Sequence, residues 1–294
     1  MKMLSICFLL ASVALACASI VPERDISYLG AERAEKMDAY LPSNSFKRPV
    51  PAILFIHGGG WRNGDKAGER EVRIATTLAE NGYAVFSINY KMNIGERDAS
   101  NKLHLSYVAW PQNFYDCKSA LRFLRSEATR FGIDPARIGV MGGSAGAHLA
   151  MLVGVTTNHE EFNREGLYLD QSNKVACVVD LYGVSDLRGK KITPFTGSEF
   201  NRVTSYEEKA SPVTYLTKET PPFFIAHGTA DKVIPVEESR ILSKSLEYLG
   251  VPYEYIEIPE APHAFDLQPP QKDLRPEVLA FLRKYLRSSS SQQK

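Results

Sequence analysis

Ile138-Gly139-Val140-Met141-Gly142-Gly143-Ser144-Ala145-Gly146 is the stretch on which the fold turns. A short apolar strand runs into G-x-S-x-G, and an apolar helical run, Ala145 to Val155, follows at once. A turn this sharp forces its central residue, Ser144, into a strained conformation, and the glycines two places before and after it relieve the crowding. The Ser144 hydroxyl then stands at a helix N-terminus, where the dipole and free N–H groups favour developing negative charge.

Outward from this element, strand-like and helix-like stretches alternate. Ala52-Ile53-Leu54-Phe55-Ile56 is a continuous apolar run, the signature of a strand buried on both faces. Further strands are predicted at Tyr83 to Asn89, Arg137 to Met141, Val175 to Leu181, Pro222 to Ala226 and Tyr253 to Ile258. Helices are predicted at Glu69 to Asn81, Gln112 to Phe131, Ala145 to Val155, Glu237 to Leu249 and Pro276 to Leu286. The alternation implies an α/β fold with a mostly parallel sheet covered on both faces. Ile26 to Leu29 and Lys36 to Leu41 are expected to pair as an antiparallel N-terminal hairpin. No linker divides residues 22–287, so they read as one catalytic domain. Functional groups in such a sheet belong just past the carboxyl ends of the strands.

The strand ending at Ile56 runs into His57-Gly58-Gly59-Gly60-Trp61. Glycines there let backbone N–H groups approach a substrate oxygen. The expected oxyanion donors are Gly59 or Gly60 together with Ala145. His57 precedes the nucleophile and reads as a brace for the loop. Trp61 reads equally as a pocket wall or as core. The partners of an elbow serine follow it in the order acid, then histidine. Asp231, after the strand Pro222 to Ala226, and His263, after the last strand, fit that order. The rivals are Asp180 and Asp186 for the acid and His227 for the base, with His227 read as a support for its loop. His148 lies on the helix after the elbow and His159 in a polar loop.

These residues reach a resemblance. The His57–Trp61 loop, the Gly142–Gly146 elbow and the loops bearing Asp231 and His263 look like the α/β-hydrolase fold over essentially the whole body of the chain. Within it, the chain resembles hormone-sensitive-lipase-like esterases, above all the small bacterial feruloyl and acetyl-xylan esterases, with kynurenine formamidases nearby. The resemblance implies a twisted, mostly parallel sheet of about eight strands and ester or amide hydrolysis without metal or cofactor. Larger relatives carry a sizeable N-terminal cap, for which Pro22 to Pro51 leaves little room. A minimal lid is expected instead, from Leu187 to Thr220 with Phe195, Phe200, Tyr206 and Tyr215.

The 294 residues are 44% hydrophobic and 23% charged, an ordinary globular composition. Thirty-five Lys+Arg against 34 Asp+Glu leave a net charge of +1, so nothing favours nucleic acid as a partner. Lys2 and the apolar run to Ala16 fit a signal peptide over residues 1–18, too short to span a bilayer, which needs ~20 residues. Cleavage would suit Ala14-Leu15-Ala16 or Ala16-Cys17-Ala18, and a lipid anchor through Cys17 is the other reading. The expected location is therefore secreted or periplasmic. The tail 288–294 is polar and expected to be disordered. Cys117 and Cys177 are expected as buried thiols, and no Cys/His spacing suggests a metal. The resulting reading is a secreted serine esterase acting on short-acyl or aryl esters, such as acetyl or feruloyl groups on a plant polysaccharide. An arylformamidase or peptidase with the same triad is the alternative. An inactive hydrolase fold serving as a binding module would be expected to lack a triad member, and none is missing.

Overall fold

Two interleaved periodicities build the sheet of this computed structural model, which describes residues 20–101, 103–189 and 204–286. The predicted signal peptide, the tail, and Phe195 and Phe200 of the predicted lid lie outside the described residues. In chain order, the elements before the elbow are β1 (Glu23–Ile26), β2 (Met37–Tyr40), β3 (Val50–Ile56), α1 (Glu69–Glu80), β4 (Ala84–Ile88), β5 (Ile94–Arg97), β6 (Leu103–Tyr107), α2 (Gln112–Ser126), α3 (Ala128–Phe131) and β7 (Ile133–Gly143). After it come α4 (Ala145–Val155), α5 (Glu160–Asn163), β8 (Val178–Leu181), α6 (Thr204–Lys209), β9 (Phe223–Gly228), α7 (Glu237–Leu249), β10 (Tyr253–Ile258) and α8 (Arg275–Tyr285).

Eight strands form one sheet in the order β1-β2-β4-β3-β7-β8-β9-β10. From β4 to β10 every pairing is parallel, and β1 and β2 join as an antiparallel edge. The side chains of β3 alternate: Ala52, Leu54 and Ile56 belong to one core, Ile53 and Phe55 to the other. The first core packs under α2, α4 and α7, through residues such as Phe114, Leu121, Leu149 and Leu242. The second packs under α1 and α8, through Ile74, Leu78, Val278 and Phe281. Burying both faces is what makes the strands read as continuous apolar runs.

Two expectations needed adjustment. The hairpin pairs Glu23 with Ala39 and Ile26 with Met37, three residues earlier in its first strand than the apolar stretch suggested. An edge strand needs no apolar run: residues 23–25 are exposed and Arg24 pairs with Asp38. The apolar Tyr28 instead leaves the strand and is buried, with its hydroxyl donating to the Asn89 carbonyl at 2.6 Å. The helix predicted over Gln112 to Phe131 is two helices. At Glu127 the backbone opens to φ −100°, ψ 14°, which turns Phe131 onto Phe86, ring centroids 4.9 Å apart. The hairpin β5–β6 has no counterpart in the sequence reading, because its strands are short and largely exposed.

Both described cysteines are free and buried. No helix of the described residues is long and apolar enough to cross a membrane.

Candidate active site

The sheet order decides what can meet. β3, β7, β8, β9 and β10 are successive neighbours and all parallel, so their carboxyl ends share one edge. His57 follows β3, Ser144 follows β7, Asp231 follows β9 and His263 follows β10.

Ser144 occupies the elbow with φ 56° and ψ −124°, a conformation that costs a non-glycine residue of order 1–3 kcal/mol. Its own N–H donates to the Leu181 carbonyl at 2.9 Å, tying the turn to β8. At Gly142 and Gly146 any Cβ would collide with backbone, of the elbow itself and of the β3 end respectively. Close approach, rather than flexibility, therefore requires both glycines.

The structure brings Ser144, His263 and Asp231 into one line. Ser144 Oγ lies 2.8 Å from His263 Nε2, and His263 Nδ1 lies 2.6 Å from Asp231 Oδ2. The Asp231 side chain is fully buried, and its Oδ1 accepts from the N–H groups of Val233 (2.8 Å) and Ile234 (2.9 Å). A buried carboxylate with its oxygens satisfied can hold an imidazole in one tautomer. The two loops are also joined directly, by Ala230 N–H to the Ala261 carbonyl and Glu260 N–H to Thr229 Oγ1. Tyr182 sets its ring edge against His263 at 5.0 Å.

The rivals make no hydrogen bond to Ser144 among the described residues, and His227 Nε2 lies 3.3 Å from the acid itself, Asp231 Oδ2. His227 is buried, with Nε2 donating to the Ile234 carbonyl at 2.9 Å and Nδ1 accepting from Ser239 Oγ at 2.7 Å. Its desolvated ring is held below the usual histidine range, and it supports the Asp231 loop. Asp186 pairs with Arg188 and accepts from Ser211 Oγ. Asp180 accepts from Gly183 N–H, and its Oδ2 has no partner. Burial pushes the Asp180 carboxyl up to about 7, with nearby Glu238 adding to the shift. His159 stacks on Phe162 and meets the edge of Tyr215.

Asp180 carries a prediction of its own. Its folded state holds a proton that the unfolded chain releases near pH 4. That stability is present below pH 4 and is lost as pH rises through about 7, at up to about 1.4 kcal/mol per pH unit. Asp180→Asn removes this slope. In melts at pH 5, 6, 7 and 8, the Tm of the variant minus that of the wild type is expected to climb to about pH 7 and then level. A difference that stays constant would mean that Asp180 is ionised in the folded protein.

The glycine loop carries three consecutive residues in the left-handed region: Gly59 (φ 108°), Gly60 (φ 62°) and Trp61 (φ 57°). The Gly59 carbonyl accepts from Arg62 and Asn63 N–H groups. The N–H groups of Gly59, Gly60 and Ala145 donate to nothing among the described residues, so they remain available to an oxyanion. Trp61 fills both roles open to it: it is 3% exposed and packs in the core, and it also lines the cleft. His148, which the sequence reading passed over, fixes it. Trp61 Nε1 donates to His148 Nδ1 at 3.2 Å, and His148 Nε2 donates to the Ala210 carbonyl at 2.6 Å. Burial pushes His148 down to about 4, so it stays neutral and can accept. His57 bonds the neighbouring Gly58 carbonyl through Nδ1 at 2.7 Å and stacks on Tyr90.

The cleft over Ser144 and His263 measures about 510 Å³, within the range of small-molecule sites. The glycine loop and Trp61 line it, with Arg70, Glu71, Val233, Ile234 and Ala264. Arg70 and Glu71 had no signal in the sequence, where they sit in an ordinary charged first turn of a helix. Of the predicted lid, the described Tyr206 and Tyr215 do not line this cleft. Among its described residues Tyr206 is partly exposed, and Tyr215 packs on His159 and Phe162 beside a different cleft. Among the described residues no three His, Cys, Asp or Glu side chains stand together as a metal site.

Comparison with known proteins places the chain among α/β-hydrolase esterases. The BD-FAE family profile matches residues 37–246. The chain is 30% identical over 264 residues to the esterase LipC of Mycobacterium tuberculosis, covering 84% of this chain and 60% of that protein. It therefore spans a little over half the length of that curated relative. A truncated carbohydrate esterase from gut microbiota superposes with a TM-score of 0.77 at 24% identity, covering 92% of this chain and 98% of that one. An acetyl ester-xyloside bifunctional hydrolase from Caldicellulosiruptor lactoaceticus superposes with a TM-score of 0.65 at 25% identity, over 86% and 89% of the two chains. These likenesses show the α/β-hydrolase esterase fold.

Proposed function

The chain belongs to the BD-FAE family, and from that premise we propose that it is an exported serine esterase that removes short acyl or aryl groups, such as acetyl or feruloyl, from plant polysaccharides. The observation that carries the reading is the 2.8 Å and 2.6 Å relay from Ser144 through His263 to Asp231, opening on a cleft of about 510 Å³. His263 Nε2 takes the Ser144 proton as Oγ attacks the ester carbonyl. Asp231 holds the other ring nitrogen and stabilises the imidazolium. The tetrahedral oxygen rests on N–H groups of Gly59 or Gly60 and of Ala145. His263 then protonates the departing alcohol. Water, deprotonated by the same ring, attacks the acyl-enzyme and frees the acid and Ser144.

The relatives support an acyl-sugar substrate, since one is described as a carbohydrate esterase and another as an acetyl ester-xyloside hydrolase. The apolar stretch Met3 to Ala16 supports export, either by cleavage or by anchoring through Cys17. A cleft walled by a buried Trp61 and a glycine loop suits a compact acyl group rather than a long chain. The expected result with p-nitrophenyl esters is a maximal kcat/KM at acetate or butyrate and a steep fall towards palmitate. A maximum at decanoate or longer would overturn the short-acyl reading. Methyl ferulate, acetylated xylan and N-formylkynurenine, assayed side by side, separate the polysaccharide esterase from the formamidase.

A further inference from the structure

Arg70 and Glu71 open α1 and both line the cleft with Ser144 and His263, yet the hydrolytic steps use neither. Their side chains are 15% and 11% exposed, so they face the cleft rather than bulk water. Arg70 reaches Glu71 Oε1 through Nε at 3.1 Å and through Nη2. Its guanidinium lies 5.6 Å from the Tyr182 ring centroid. Gly143, next to the nucleophile, makes room for it: a Cβ there would stand 2.9 Å from both Nη1 and Nη2. The guanidinium is thus wedged beside the elbow. Among the described residues its Nη1 donates to no acceptor, and Glu71 Oε2 accepts from no donor.

We propose that Arg70 and Glu71 form a sugar-hydroxyl subsite that recognises the carbohydrate part of the substrate, an inference that rests on the acyl-sugar reading above. Between them the two residues leave one donor and one acceptor without partners among the described residues, and both residues line the cleft. Hydroxyls both donate and accept, so the hydroxyls of a neutral sugar can satisfy both atoms. A carboxylate could use only Arg70 and would meet the like charge of Glu71. The pair therefore favours a neutral acylated sugar over a uronate.

The test holds the acyl group constant and changes the alcohol. Wild type, Arg70→Met and Arg70→Lys are assayed on p-nitrophenyl acetate, on neutral acetylated xylo-oligosaccharides and on uronate-substituted ones. For Arg70→Met, kcat/KM on the neutral oligosaccharides is expected to fall at least about tenfold further than on p-nitrophenyl acetate, mainly through KM, the loss expected of a hydrogen bond to a charged group. Arg70→Lys keeps the charge but not the planar fork, and is expected to lose the same selectivity even if the methionine variant does not fold. Equal losses on all three substrates would assign Arg70 to the elbow or the chemistry and overturn the subsite. A loss confined to the uronate substrates would overturn it as well. Wild-type protein that cleaves p-nitrophenyl acetate but no acetylated oligosaccharide would instead overturn the acyl-sugar reading, before any variant is compared.

Discussion

Ser144→Ala is expected to lower kcat by on the order of a million-fold while leaving the melting temperature close to that of the wild type, by analogy with loss of the nucleophile in another serine hydrolase. In the proposed mechanism the Ser144 oxygen, 2.8 Å from His263 Nε2, is the atom that forms the acyl-enzyme. The β-carbon stays, so the turn geometry at φ 56° is unchanged. The same variant should lose all labelling by a fluorophosphonate probe that the wild type takes up. A purified variant that keeps more than a few per cent of activity, or that is still labelled, would show that the nucleophile lies elsewhere.

Asp231→Asn should cost roughly ten-thousand-fold in kcat, by analogy with the corresponding change in another triad. An amide at that position can donate to His263 Nδ1 and so favours the tautomer that carries its proton on Nε2. That tautomer cannot accept from Ser144. The buried surroundings sharpen the effect, because Val233 and Ile234 N–H groups already donate to Oδ1 and orient the side chain. Stopped assays over a pH series, with thermal melts as a control for folding, would check this. If Asp186→Asn were crippling and Asp231→Asn mild, the acid would have to be reassigned.

The elbow, the glycine loop and the order of acid and base were legible because each rests on local backbone demands. G-x-S-x-G states where a Cβ cannot fit, and β3 and the Ile138–Met141 half of β7 state their burial through apolar runs. What stayed hidden depends on partners distant in the chain. Nothing near Glu127 marks the break between α2 and α3, because Phe131 turns only to meet Phe86. β1 is an edge strand, and its exposed Glu23-Arg24-Asp25 has no apolar period to read. His148 and Arg70 look like ordinary helix residues until Trp61 and Gly143 are placed beside them.

The arrangement of the sheet also bears on how the proposed triad assembles. Ser144 and His263 are 119 residues apart in the chain, and the base is carried past β10, the last of the described strands and the outermost on its side of the sheet. Contacts of such long range are made late and slowly in folding. Until β10 is in place, Ser144 has no base beside it to take its proton. On the proposed mechanism, hydrolysis waits until β10 docks and brings His263 to Ser144.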